Sequence, residues 1–91
     1  MPDQNVINFI NKFRSSKELF MRGMCYWFAH ILSSRFNGEI CIHEVDCHFC
    51  ARIKGVCYDA TGCIDGNGFI NWGCYQILEP YRSERLIRDC V

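Results

Sequence analysis

The chain has 91 residues, which is the length of one small domain, so we expect a single domain over residues 1–91. Apolar residues make up 49% of the chain and aromatic residues 14%, which excludes a disordered protein. Ten basic residues balance ten acidic ones, so no overall charge attracts nucleic acid, and we expect no nucleic-acid partner.

Two helices are predicted in the first half of the chain. Residues 4–14 have apolar side chains at helical spacing, with Asp3 or Asn5 as the N-cap. Residues 15–23 break the pattern, with room for one short turn. Met24 to Phe36 is apolar on nearly all sides, which is typical of a helix buried in the centre of a domain.

The second half changes to the two-residue period of strands once Asn37-Gly38 has ended the helix. Strands are predicted over 39–45 and 48–53, and Lys54-Gly55 forms a tight turn into a third strand over 56–60.

The remaining sequence predicts a Gly-, Asn- and Asp-rich loop over 63–71, a helical turn over 72–78 and a last helix over 81–89 after Pro80. The whole pattern predicts an α+β fold in which a central buried helix packs on a small antiparallel sheet.

Cysteine is abundant: eight residues would suit a disulfide-stapled secreted domain. The N-terminal sequence has no signal-peptide pattern, however, and several cysteines stand among large apolar residues, where a thiol acts as a small hydrophobe: Cys25, Cys41, Cys57 and Cys74. No apolar stretch approaches the roughly 20 residues that span a bilayer. We therefore expect free thiols, no membrane partner and a cytoplasmic location.

Cys25, His48 and Asp59 form the candidate catalytic site. Cys25 starts the buried helix, where unpaired N–H groups favour a thiolate and could hold an oxyanion. If 54 and 55 are the turn residues, 50 faces 59, and His48 lies diagonal to Asp59 on one face of the hairpin. The helix that carries Cys25 would then have to pack across that face to complete a nucleophile, a base and an orienting carboxylate.

The motifs Gly-Met-Cys-Tyr-Trp-Phe-Ala at 23–29, His-Phe at 48–49 and Tyr-Asp-Ala-Thr-Gly at 58–62 resemble the core of papain-like and transglutaminase-like cysteine enzymes. They are especially similar to small proteins of Firmicutes genomes and their phages. The resemblance implies a minimal papain-like fold with Cys25 as nucleophile, His48 as base and Asp59 as orienter. One departure is that papain-like enzymes carry a glutamine a few residues before the cysteine, whereas here residues 17–22 read Lys-Glu-Leu-Phe-Met-Arg.

Two kinds of metal site compete with this interpretation. Cys47 and Cys50 form a C-x-x-C, and Cys57 with Cys63 could complete a zinc site, although Cys47 and Cys50 would point to opposite faces of a strand. Residues 65–70 look like part of a calcium loop but place cysteines at the first and last ligand positions, which fails. We therefore expect no metal and no cofactor.

Other side chains are expected to be structural. Arg82, Arg85 and Arg88 would make a basic stripe on the last helix, where a solvated face is the commoner outcome than a phosphate site. The following aromatic residues are expected mostly in the core: Tyr26, Trp27, Trp72, Tyr75 and Tyr81.

The sequence thus favours a small papain-like thiol hydrolase acting on an amide bond, as a peptidase, amidase or deamidase, with a peptide or protein amide as substrate. The alternative is a catalytically inactive, phage-encoded binding protein that inhibits a host defence system, such as an anti-CRISPR, with a host defence protein as partner. Either could work in the host cytoplasm, and self-association into a homo-oligomer is compatible with so small a core.

Overall fold

The structure, a computed structural model, describes residues 2–13 and 24–90. This part of the chain is α+β, with four helices and one five-stranded antiparallel sheet, which confirms the predicted fold class. The helices are α1 (Gln4–Asn11), α2 (Cys25–Phe36), α3 (Trp72–Leu78) and α4 (Pro80–Cys90). The strands are β1 (Glu39–His43), β2 (His48–Ile53), β3 (Val56–Asp59), β4 (Gly62–Ile64) and β5 (Ile70–Asn71).

α1 begins and α2 ends where the sequence predicts. Asp3 caps α1, because its carboxylate accepts a hydrogen bond from the Asn5 N–H at 2.9 Å. α2 ends where Asn37 adopts a left-handed conformation with φ of 56°. α1 is shorter than the predicted 4–14, and the break predicted over 15–23 lies outside the described residues.

The sheet is built around the predicted hairpin, with strand order β4-β3-β2-β1-β5. Lys54 and Gly55 both have positive φ, 51° and 81°, as a two-residue hairpin turn requires. Ile53 therefore pairs with Val56, in the predicted register. The predicted loop over 63–71 is partly wrong, because β4 and β5 extend the sheet at its two edges with only three and two residues.

The prediction that α2 packs across the sheet face that carries His48 is wrong. Phe28 and Leu32 of α2 are buried against Ala51, Ile53 and Tyr58, so the helix lies on the sheet face opposite His48, Cys50 and Arg52. The face with Ala51 and Ile53 carries no charged side chain from β2 to be desolvated, which favours it for burial against the helix. The α2 helix is nevertheless the central buried helix of the fold.

The second sheet face holds a cluster of three buried cysteines, Cys41, Cys50 and Cys57, covered by Ile64 and Phe69. Among the described residues, six cysteines are free thiols, as predicted: Cys25, Cys41, Cys50, Cys57, Cys63 and Cys74. For Cys47 the free-thiol prediction is wrong, because this residue is disulfide-bonded.

Some of the aromatic side chains that were predicted in the core are buried and others are exposed. Trp72 and Tyr75 are buried as predicted, whereas Trp27 is 46% exposed and Tyr81 is 87% exposed. Cys74 is also exposed rather than buried. In residues 2–13 and 24–90, every helix is too short or too polar to cross a membrane.

Candidate active site

Cys25 is the first residue of α2, and its side chain is only 7% exposed. The thiol lies within hydrogen-bonding contact of the His48 ring. It also accepts from the backbone N–H groups of Phe49 and Tyr26. The sulfur is therefore surrounded by donors that favour its ionised form.

His48 begins β2, so its ring lies at the end of the sheet, where the start of α2 can reach it from the other face. Its Nε2 lies 2.8 Å from Oδ2 of Asp59. This contact occupies Nε2 and leaves Nδ1 to serve the Cys25 thiol. The ring of Phe69 packs edge-on against the imidazole, with 6.1 Å between the ring centroids.

Asp59 is the last residue of β3 and is 6% exposed. Its second carboxylate oxygen, Oδ1, accepts from the Thr61 backbone N–H at 2.7 Å and from the Thr61 hydroxyl. Both oxygens of this buried carboxylate therefore have donors, as a buried charge requires.

The three predicted residues are thus brought together at one end of the sheet. Because β2 and β3 are antiparallel neighbours, the start of one strand and the end of the other meet there. Packing of α2 on the sheet then brings its N-terminus to the same end. The predicted order of thiol, imidazole and carboxylate is the observed one, although the helix reaches it from the opposite face.

The electrostatics of the row favour a thiolate beside an imidazolium. Burial opposes ionisation of Cys25, but hydrogen bonds from His48 and from the Phe49 N–H outweigh it and hold the pKa of the thiol below its ordinary value. The hydrogen bond with Asp59, followed by that with Cys25, raises the pKa of His48 to about 9. Burial likewise opposes ionisation of Asp59, but hydrogen bonds from His48 and Thr61 bring its pKa below the usual value.

Donors for an oxyanion are available at the start of α2. The first N–H groups of a helix have no partner within it, and Met24 supplies no side-chain cap. The Tyr26 N–H is directed at the sulfur, which leaves those of Cys25 and Trp27 as candidates. The stretch 17–22, where the sequence lacks the papain-like glutamine, lies outside the described residues.

Other chemistry has less support from the geometry. Among the described residues, no group of three or more His, Cys, Asp or Glu side chains is placed to hold a metal ion, and Cys47 of the candidate zinc set is disulfide-bonded. A cavity of about 340 Å³ lies between the β1–β2 turn and α4, and one of about 400 Å³ lies beside α2. Neither of these two cavities is lined by Cys25, His48 or Asp59.

Two neighbours of the site, Thr61 and Phe69, were not predicted. Thr61 could have been found from the Asp-x-Thr spacing, which is typical of an aspartate that accepts from the backbone two residues later. Phe69 had no such signal, because its position over His48 depends on how the loop after β4 folds back across the sheet.

The sequence was compared with known proteins and matches the model of a protein family. A family model described as Phage YunG-like protein matches residues 4–83. No curated protein matches the chain, and neither does any solved structure. The predicted likeness to small phage proteins is confirmed, while the papain-like relationship stays a hypothesis. Because the matched segment holds all three site residues and most of the sequence, the chain belongs to the Phage YunG-like protein family.

Proposed function

We propose that the protein is a small thiol hydrolase that cleaves an amide bond through Cys25, His48 and Asp59. The observation that carries the proposal is the hydrogen-bonded row of thiol, imidazole and carboxylate. A histidine that only stabilises the fold needs hydrogen-bond partners, but it does not need a thiol as one of them. Here both sides of the ring are engaged, one by a carboxylate and one by a thiol, which is the arrangement that activates a nucleophilic cysteine.

The reaction follows from these positions. The Cys25 thiolate attacks the carbonyl carbon, and the oxygen takes the negative charge beside the N-terminus of α2. Protonated His48 gives its proton to the leaving amine, so that the C–N bond breaks and a thioester remains on Cys25. A water molecule, deprotonated by His48, then attacks the thioester and releases the acid and the free thiol. Asp59 keeps the ring oriented throughout.

Selective alkylation tests the activation of Cys25. Because its pKa is lowered, we expect iodoacetamide at pH 6 to modify Cys25 faster than the two exposed thiols, Cys63 and Cys74, although those are easier to reach. Peptide mass mapping of the folded protein over a time course gives the three rates. His48→Ala should slow the Cys25 reaction by about tenfold or more at this pH.

A small activated ester tests turnover separately from reactivity. With p-nitrophenyl acetate we expect a burst of nitrophenolate and an acetyl group on Cys25, both absent in Cys25→Ala and both retained in Cys74→Ala. Alkylation that follows exposure alone, with Cys63 and Cys74 ahead of Cys25 in every time course, would contradict the proposal.

A second candidate function is the inhibitory binding protein. The observations that favour it are membership of a phage family and the low exposure of Cys25, which suits a thiol that is part of the fold. The two functions differ in a phage-challenge assay of bacteria that express the chain. A hydrolase loses its effect when Cys25 is replaced by alanine, whereas a binding protein keeps it as long as the variant remains folded.

A further inference from the structure

The contacts of Asp59 point beyond the three residues to the turn that follows β3. Thr61 is exposed, yet it gives Asp59 Oδ1 two donors, the backbone N–H at 2.7 Å and the hydroxyl. The other oxygen, Oδ2, is left to contact His48 at 2.8 Å. Each of the two carboxylate oxygens therefore has its own task.

From this division we propose that Thr61 is a positioning residue of the thiol site: its hydroxyl fixes the rotation of the Asp59 carboxylate so that Oδ2 faces His48 Nε2. This inference rests on the proposed function, because it assigns a role within the same row of residues.

Rotation of a carboxylate about its last bond is broad and soft, so a single partner does not hold it. Two donors on one oxygen, one of them fixed in the backbone, define its orientation. Thr61 suits this task because a β-branched side chain has a restricted χ1, which keeps the hydroxyl in place even in an exposed turn.

The effect on the thiol would pass through His48. A carboxylate held in line with Nε2 keeps the proton on that nitrogen and stabilises the imidazolium, which in turn stabilises the thiolate. Among the described residues, the titratable groups that act on His48 are Asp59 and Cys25, and the one that acts on Asp59 is His48. Thr61 can thus influence Cys25 without touching it.

The test is the pH profile of Cys25 alkylation by iodoacetamide in the full chain. We expect Thr61→Val, which keeps the shape and the backbone donor but removes the hydroxyl, to lower the rate at pH 6 by about three- to tenfold and to move the midpoint of the profile to higher pH. Thr61→Ser keeps a hydroxyl and should restore most of the rate.

Two controls separate positioning from stability. Ser83→Ala removes a buried hydroxyl that donates to the Pro80 carbonyl at 2.9 Å, remote in sequence from the site, and should leave the profile unchanged. In a His48→Ala background, Thr61→Val should have no further effect, because residues that act through one another are not additive.

The outcomes distinguish the two proposals. A wild-type Cys25 that reacts no faster at pH 6 than Cys63 overturns the proposed function. A wild-type Cys25 that reacts fast, combined with an unchanged profile in Thr61→Val or an equal effect of that substitution in the His48→Ala background, overturns the role of Thr61 alone.

Discussion

At the scale of single residues, the site depends on one proton shared between two side chains. A raised His48 pKa contributes stability that is full below pH 6.5 and is lost as the pH rises through about 9. A lowered Cys25 pKa contributes stability that is full above pH 9 and is lost as the pH falls through the folded-state value. Both contributions stabilise the fold, but they change with pH in opposite directions, so the pH dependence of one offsets that of the other in the native pair.

Replacing the Cys25 thiol should make the pH-dependent contribution of His48 to the free energy of unfolding measurable. In Cys25→Ser the bond with Asp59, the larger cause of the raised His48 pKa, remains, and the compensating thiol is gone. We expect the free energy of unfolding of Cys25→Ser to fall by about 1–3 kcal/mol between pH 6.5 and pH 9 relative to wild type. Urea titrations at several pH values measure this, with Cys74→Ser as the control. A parallel pH dependence in all three proteins would show that the pair is not ionised.

At the scale of elements, the backbone just before β1 lies very close to β2, and this contact determines where the sheet can begin after α2. A Cβ on Gly38 would lie 2.7 Å from both the Arg52 carbonyl oxygen and a side-chain carbon of Ile53, so the start of β1 can lie against β2 only without a side chain there. Gly55 differs, because its φ of 81° favours glycine, whereas a Cβ at this position would have no neighbouring atom within 4 Å.

We therefore expect alanine substitutions at these two glycines to lower the free energy of unfolding by different amounts. We expect Gly38→Ala to lower the free energy of unfolding by about 2 kcal/mol or more, because a backbone atom must move. Gly55→Ala should cost about 1 kcal/mol, from backbone strain alone. Chemical unfolding of both variants gives the comparison, and equal losses would mean that the β1 start can shift freely.

The same elements show what could be predicted from sequence. The hairpin was predictable because Lys54-Gly55 marks its turn, and a fixed turn fixes the register that places His48 diagonal to Asp59. The side on which α2 packs was predictable too, because Phe49, Ala51 and Ile53 alternate with His48, Cys50 and Arg52, which marks the first face of β2 as the one to be buried. The prediction that α2 crosses the His48 face set this alternation aside. β4 and β5 were missed because strands of three and two residues exist only through pairing with neighbouring strands.

At the scale of the whole molecule, burial is divided among small groups of side chains. One cluster joins α1 and α2 to the sheet, a second surrounds Cys25 with Phe49 and Trp72, and the buried cysteines occupy the far face. A domain of this length buries only about 60–65% of its unfolded surface, so each cluster carries a large share of a small total stability.

Substitution of Phe28 tests whether the cluster that joins α1 and α2 to the sheet is the main core. Phe28 is 1% exposed and belongs to this cluster, with its ring 5.5 Å from that of Phe13. We expect Phe28→Ala to lower the free energy of unfolding by about 3–5 kcal/mol, enough to unfold much of the population. Trp27→Ala, at 46% exposure, should cost far less. Urea midpoints measure both, and similar costs would mean that the cluster is not the main core.

The nucleophile, the base and the carboxylate stand on three separate elements, at the first residue of a helix, the first of one strand and the last of another. The lowered pKa of the Cys25 thiol therefore exists only in the folded protein. A chain emerging from synthesis, or one whose helix has come loose, carries an ordinary cysteine and an ordinary histidine. Under the proposed function, such a chain is harmless to its surroundings until the last of these contacts has formed.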